Sequence, residues 1–134
     1  MQDASRSRRV PAPARFRAWV RAAASGRTEV TVRLVGAAEA RRLKLAFSGK
    51  DYATNVLTFA YEAGSGDIVL CPLVIGREAG KQGKSLAAHY AHLTVHAILH
   101  LRGYGHSRAA DAERMERAEI RILKRLGVAN PYVI

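Results

Sequence analysis

The sequence predicts an α+β domain in which a small mixed β-sheet of three to four strands packs against helices. Some segments repeat apolar residues every three to four positions, as helices do, and others alternate them, as strands do. In the first half of the chain a strand, a helix and a strand follow one another, an order that favours parallel pairing. At 134 residues and 49% hydrophobic content, the chain is long enough for one domain with one core.

Residues 1–15 are rich in arginine and contain Pro11 and Pro13, but they show no apolar period. We therefore expect a basic, flexible N-terminal arm, followed by a single domain over residues 16–134. No alternation marks a strand within the arm. For this reason the sheet is predicted to have three strands, or four if an edge strand forms.

In the first half, apolar residues at helical spacing predict a helix over 16–24. Alternation between two glycines predicts a strand over 28–35, and an amphipathic helix follows over 37–47. After a Ser-Gly-Lys-Asp turn, apolar runs predict strands over 55–59 and 67–71. The short glycine-containing connection between these two strands is compatible with an antiparallel hairpin.

In the second half, the sequence predicts a helix over residues 73–83, but the helical signal is weak because this segment carries two glycines. Ser85 is a suitable N-cap for a strong helix that extends to Arg102. The last helix is predicted over 108–126, with an apolar stripe along one face and Gly127 at its end.

The segment from His96 to His106 has the spacing of a metal site. His96 and His100 lie four residues apart, so a helix presents both imidazoles on one face. Gly103 can end the helix in a left-handed conformation, and His106 can then supply a third nitrogen. Three protein ligands leave a fourth coordination position for water or substrate, which is typical of catalytic zinc.

The residue after the first histidine argues against a zinc peptidase. Peptidases with a related spacing place a glutamate there as the general base, whereas this chain has Ala97. The proton acceptor is therefore open among a zinc-bound hydroxide, a phosphate oxygen of the substrate and a carboxylate elsewhere in the chain.

Other residues compete for a role at the metal. His89 and His92 share the helical face with His96, but no glycine turn follows them, so we expect them to face solvent or to support the ligands. Cys71 ends a strand and is expected to be a small buried apolar residue. Glu119 lies beside the apolar stripe of the last helix, where an ion pair with an arginine is favoured over a hydrogen bond to a ligand histidine.

The charge balance indicates a polyanionic partner. The chain has 22 Lys and Arg against 11 Asp and Glu, which gives a net charge of +11. Nucleic acid is the commonest reason for such an excess, with an arginine-rich soluble surface as the alternative. The single cysteine excludes an internal disulfide framework. Because no secretory signal or long apolar run is present, we expect a cytoplasmic, soluble protein without membrane association.

Three segments resemble the signatures of the YbeY family of bacterial ribosomal RNA maturation endoribonucleases. They are residues 48–59 (Ser-Gly-Lys-Asp-Tyr-Ala-Thr-Asn-Val-Leu-Thr-Phe), residues 66–69 (Gly-Asp-Ile-Val) and the histidine segment from His96 to His106. The segments occur in the family's order, and the similarity extends over about residues 16–132.

The resemblance implies a zinc-dependent endoribonuclease specific for single-stranded RNA, with a zincin-like α+β fold. It further implies maturation of the 3′ end of the small-subunit ribosomal RNA, a part in ribosome quality control, and the small ribosomal subunit and assembly factors as partners. One zinc ion would be held by three histidines plus water or substrate. The implied ligands are His96, His100 and His106, and the candidate substrate-binding residues are Ser48, Lys50, Asn55 and Arg102.

Two positions depart from the family pattern. The family usually has arginine where this chain has Ser48, so that Lys50 or Arg42 is left to contact phosphate. It usually has aspartate where this chain has Gly105, which removes a carboxylate that could orient a ligand. An RNA-binding ribosome-assembly factor with a mainly structural metal therefore stays open as an alternative, and a zinc peptidase is a more distant one.

Overall fold

The computed structural model describes residues 1–5, 9–26, 28–62, 64–105 and 107–133. It contains four strands and five helices within those residues. In chain order they are β1 (Gln2–Asp3), α1 (Pro13–Ala23), β2 (Glu29–Leu34), α2 (Ala37–Ser48), β3 (Val56–Glu62), β4 (Ser65–Leu70), α3 (Pro72–Gln82), α4 (Leu86–Leu101) and α5 (Ala109–Arg125).

The strands form one mixed sheet in the order β1-β2-β4-β3, which confirms the predicted α+β class. Strand β2 pairs in parallel with β1 and with β4, and β3 pairs antiparallel with β4, as the predicted hairpin requires. The parallel partner of β2 is thus β4, whereas the strand, helix and strand order suggested β3. Strand β4 takes an inner position because its Ile68, Val69 and Leu70 form a continuous apolar run that is buried on both faces, whereas the end of β3 is exposed.

The N-terminal segment supplies the fourth strand. Gln2 and Asp3 pair with Arg33 and Leu34, and the amide of Ala4 donates to the carbonyl of Leu34 at 2.8 Å. A two-residue strand is too short to show alternation, which explains why no strand was predicted there. Helix α1 also begins earlier than predicted, at Pro13, so the predicted arm over 1–15 includes β1 and the first turn of α1. The single domain over 16–134 stays a prediction.

Helix α4 lies in the centre of the protein. Ten of its residues are buried, and it packs between α1, α5 and one face of the sheet. Near its N-terminus, the ring of Phe16 from α1 meets the ring of Tyr90 edge-on at 5.7 Å. A smaller apolar cluster on the other face of the sheet contains Val69, while its neighbours Ile68 and Leu70 lie in the main core. This division follows from the alternation of side chains along a strand.

The β3–β4 hairpin is fastened to the C-terminal end of α4. The amide of Gly64 donates to the carbonyl of Leu101 at 2.8 Å. A Cβ atom on Gly66 would lie 2.2 Å from the carbonyl oxygen of Phe59 and 2.9 Å from Cδ2 of Leu101. Only glycine therefore fits at this position, between the backbone of β3 and the side chain of Leu101.

We expect the G66A variant to lose about 2 kcal/mol or more of unfolding free energy, because the added methyl overlaps a strand carbonyl. Urea denaturation followed by circular dichroism measures the loss. The matched control is G76A in α3, where an added Cβ has no atom within 4 Å. In that helix alanine is expected to add about 0.5 to 1 kcal/mol. Equal stability of the two variants would contradict the close approach at Gly66.

Candidate metal centre

Local sequence signals set both ends of helix α4. The Ser85 hydroxyl accepts a hydrogen bond from the amide of Ala88 at 3.1 Å, which confirms the predicted N-cap. At the other end Gly103 has a φ of +96°, in the left-handed region. The amide of Tyr104 bonds back to the carbonyl of Leu99 at 3.0 Å. The chain therefore turns directly after the paired histidines, as the spacing predicted.

His96 and His100 lie side by side on one face of α4. Their ring centroids are 4.6 Å apart and their Nε2 atoms 3.1 Å apart. Two nitrogens bound to one tetrahedral zinc at the usual bond length lie about 3.3 Å from each other. The pair therefore has close to the separation that a shared ion requires.

The third predicted ligand, His106, lies outside the described residues. Within the described parts of the chain, no group of three or more His, Cys, Asp or Glu side chains is placed to hold a metal ion. The ligand set His96, His100 and His106 thus stays a prediction, with the geometry of its first two members now defined.

A buried carboxylate from α5 contacts this pair. Glu119 has no exposed surface, and its Oε1 atom accepts a hydrogen bond from Nδ1 of His96. Its Oε2 atom accepts one from the Tyr132 hydroxyl and faces Nε2 of His92 at 3.3 Å. The arginine ion pair favoured on sequence grounds is therefore wrong, and the hydrogen bond to a predicted ligand is observed. The signal was a carboxylate placed one turn from Met115 and Ile122 on the buried stripe of α5.

These contacts keep the Glu119 carboxylate ionised. Burial alone raises the pKa of Glu119, but the hydrogen bonds from His92, His96 and Tyr132 outweigh it and lower the pKa to about 2. Because a carboxylate can only accept, Nδ1 of His96 carries the proton and the lone pair is on Nε2, on the side of His100. His92 faces the same carboxylate through Nε2, so in the His92 ring the proton is on Nε2 instead.

The structure corrects the expectation that His89 faces solvent. His89 is 3% exposed, and its Nε2 atom bonds to the Glu78 carboxylate at 2.9 Å. Its pKa is lowered by burial, against the opposing effect of Glu78. His92 is largely buried, and its Nε2 atom faces Glu119 and Tyr132. His92 and His96 are also four residues apart, but their ring centroids are 6.3 Å apart, farther than the 4.6 Å between His96 and His100.

Asn55 lies at the start of β3 and is bonded within the protein. Its Nδ2 atom donates to both oxygens of Glu78, at 2.9 and 3.2 Å, and its Oδ1 atom accepts from the amide of Val56. Because Glu78 also contacts His89, one carboxylate of α3 connects β3 to α4. The predicted role of Asn55 in substrate binding stays a prediction, and its observed hydrogen bonds are structural.

The other candidate substrate-binding residues lie on the surface or near it. Ser48 is exposed at the end of α2, where its hydroxyl donates to the carbonyl of Lys44 at 2.8 Å, and Lys50 is exposed in the following turn. The guanidinium of Arg102 donates to the carbonyl of Ala23 at 2.8 Å and lies over the ring of Tyr104. Arg102 thus connects the ends of α4 and α1, and its contact with substrate stays a prediction.

Cys71 is the free cysteine predicted to be buried, and it is 1% exposed in the smaller apolar cluster. It contributes to packing on the face of the sheet that carries α2.

Comparison with known proteins identifies the family. The sequence model of the family described as Endoribonuclease YbeY matches residues 8–127. The chain belongs to the YbeY family. Endoribonuclease YbeY of Aromatoleum aromaticum is 54% identical over 127 residues, covering 92% of this chain and 82% of the relative. Endoribonuclease YbeY of Thiobacillus denitrificans is 50% identical, with 98% and 93% covered.

The fold is also that of a solved structure. The solution structure of TM1509 from Thermotoga maritima superposes with a TM-score of 0.59 at 22% identity, covering 95% of this chain and 92% of that one. The family model and the two relatives confirm the family resemblance and the enzyme class, endoribonuclease. No helix among the described residues has the length and apolar content needed to cross a membrane.

The buried His89 generates a prediction about pH. Its pKa is lowered in the folded state, so the unfolded chain binds a proton first as the pH falls below about 6.5. The contribution of neutral His89 to the unfolding free energy is complete above that pH and is lost as the pH falls through the folded pKa. Within this range the unfolding free energy falls by at most about 1.4 kcal/mol per pH unit.

We therefore expect the unfolding free energy of the H89Q variant to fall less than that of the original chain between pH 7.5 and 5. Glutamine can still donate to Glu78 but does not titrate. Urea titrations at several pH values give the two slopes, and parallel curves would contradict the assignment.

Proposed function

We propose that this protein is a zinc-dependent endoribonuclease that cleaves single-stranded RNA. Its proposed role is the processing of ribosomal RNA, including the 3′ end of the small-subunit RNA, and ribosome quality control. The observation that carries the proposal is the pair of Nε2 atoms of His96 and His100, 3.1 Å apart, in a chain of the YbeY family. Relatives about half identical to it are named endoribonucleases, which supports RNA as the substrate.

The donor set fits zinc. Neutral imidazole is a common zinc ligand, and the hydrogen bond from Nδ1 of His96 to Glu119 leaves Nε2 to bind an ion. His96, His100 and His106 would hold the ion. When bound, zinc supplies a Lewis acid and lowers the pKa of a coordinated water to about 7.

The protein's own groups limit how protons are transferred. Glu119 contacts His96 on the Nδ1 side, and its two oxygens face His92, His96 and Tyr132. Glu119 therefore acts on the histidine, and the proton acceptor in the reaction is another group. Ala97 has no exposed surface and belongs to the main apolar core. The position that carries the glutamate of zinc peptidases is thus filled by core packing here, which disfavours peptide hydrolysis.

The surface supports a polyanionic substrate. The net charge is +11, and Arg42 and Lys50 are exposed along and after α2. Phosphate contacts release counterions, so we expect RNA affinity to fall steeply with salt. The small ribosomal subunit and its assembly factors, in the cytoplasm, are the partners that the proposal includes.

A cleavage assay tests the proposal. We expect the zinc-loaded protein to cleave an unstructured RNA oligonucleotide and to leave the matching duplex intact. The H96A/H100A double variant should lose at least about a hundredfold in rate, because the metal contributes several kcal/mol of charge stabilisation. K124A, at an exposed position of α5, is the matched control and should keep full activity. Equal cleavage by the double variant would indicate a contaminating nuclease and end the proposal.

The second candidate function is an RNA-binding assembly factor with a mainly structural metal. Ser48 and Gly105 favour it, because they replace the arginine and the aspartate of the family pattern. This candidate predicts tight RNA binding without turnover. A peptide-library digest that yields products would instead support a peptidase.

Restoring the family arginine separates the two RNA-based candidates. Ser48 is exposed, so the larger side chain has room, and we expect the S48R variant to cleave RNA several-fold faster. One added phosphate contact should also steepen the salt dependence of binding by a slope of about 0.7 for single strands. S25R adds the same charge at an exposed position after α1 and is the control. An equal gain in both variants would show a general charge effect.

A further inference from the structure

Glu119 brings together residues from three parts of the chain. It lies on α5, His92 and His96 lie on α4, and Tyr132 follows α5 in the C-terminal segment. The amide of Tyr132 donates to the Asn130 side chain at 2.9 Å, in a turn that folds the segment back. The ring of Tyr132 meets the ring of His92 edge-on at 5.4 Å.

We propose that Glu119 and Tyr132 are positioning residues for the metal ligand His96. The Oε1 atom of Glu119 accepts a hydrogen bond from Nδ1–H of His96, which favours the tautomer whose Nε2 lone pair can bind the ion. Tyr132 and His92 contact Oε2 and prevent the carboxylate from rotating away. This inference rests on the proposed function, since it takes His96 as a ligand.

The cost of burying Glu119 argues against a purely structural role. A carboxylate without exposed surface is costly to desolvate, and hydrogen bonds must offset that cost. Its neighbours one turn away, Met115 and Ile122, are buried apolar residues. An apolar side chain at this position would fill the core at less cost. The carboxylate also orients the ring, because it accepts a hydrogen bond from one defined nitrogen of His96.

The hydrogen bond also makes His96 a stronger ligand. A carboxylate on Nδ1 increases the electron density of the imidazole ring and so strengthens the bond from Nε2 to a cation. The family's aspartate before the third histidine is Gly105 in this chain. Because this chain lacks the carboxylate at position 105, Glu119 is the carboxylate that orients a ligand here.

The test compares zinc affinity in conservative variants. E119Q keeps the size of the side chain but removes its charge, and Y132F removes only the hydroxyl. We expect E119Q to bind zinc about 10 to 100-fold more weakly, and Y132F to be weaker by a smaller factor. Competition with a chelating dye gives the dissociation constants. E113Q, on the exposed face of α5, and Y52F, also exposed, are the matched controls and should bind as the original chain does.

A second measurement reports the tautomer without metal. In zinc-free protein, the imidazole ¹⁵N shifts of His96 should show Nδ1 protonated in the original chain. In an E119L variant they should show a mixture of tautomers. Circular dichroism confirms that each variant is folded, and Y132F, which changes a residue that is 42% exposed, allows the affinity test if E119Q is unstable.

Two outcomes would overturn the inference. One is zinc affinity within twofold of the original chain in both E119Q and Y132F, and the other is an unchanged His96 tautomer in E119L. A failure of the proposed function would be recognised by a different experimental outcome. If the variants lose zinc affinity as expected while the zinc-loaded original chain cleaves no RNA, the positioning role stands and the nuclease activity does not.

Discussion

One constraint governs this structure: helix α4 is the centre of the hydrophobic core and also carries the paired histidines. A helix can serve both purposes if the histidines that meet at the metal centre occupy one narrow row, because positions four apart lie above one another. His92, His96 and His100 form that row, and most other positions between Tyr90 and Leu101 are buried. The imidazoles are therefore held on a rigid element whose backbone is fixed by packing on its remaining faces.

Enclosing α4 in this way places its histidines against other elements, where two carboxylates form hydrogen bonds with them. Glu78 of α3 bonds to His89, and Glu119 of α5 bonds to His96. Both carboxylates also bind a further partner, Asn55 and Tyr132 respectively. In a chain with a net charge of +11, these two acids are directed inward to histidines, while basic side chains such as Arg42 and Lys50 are exposed. The negative charge of these two acids thus lies inside, next to the histidines, and the positive charge of these basic side chains lies on the surface.

Much of the fold was predictable because its signals are local. The helix of the histidine pair, its Ser85 cap and its Gly103 turn follow from neighbouring residues, and the structure confirms all three. The β3–β4 hairpin was predicted for the same reason. Pairing between distant segments was harder to predict. The parallel partner of β2 depends on how strongly each strand is buried, and the two-residue strand β1 is too short to carry a pattern.

The sequence by itself determined the α+β class, the spacing of His96 and His100 on one helical face, the excess of positive charge and the resemblance to the YbeY family. Each of these depends on composition or on residues within a few positions of one another. Only the tertiary structure decided that Glu119 bonds to His96 rather than to an arginine, and that Asn55 and His89 share Glu78. The physical reason is that these contacts join residues 11 to 23 positions apart, and their geometry is set by how α3 and α5 pack on α4.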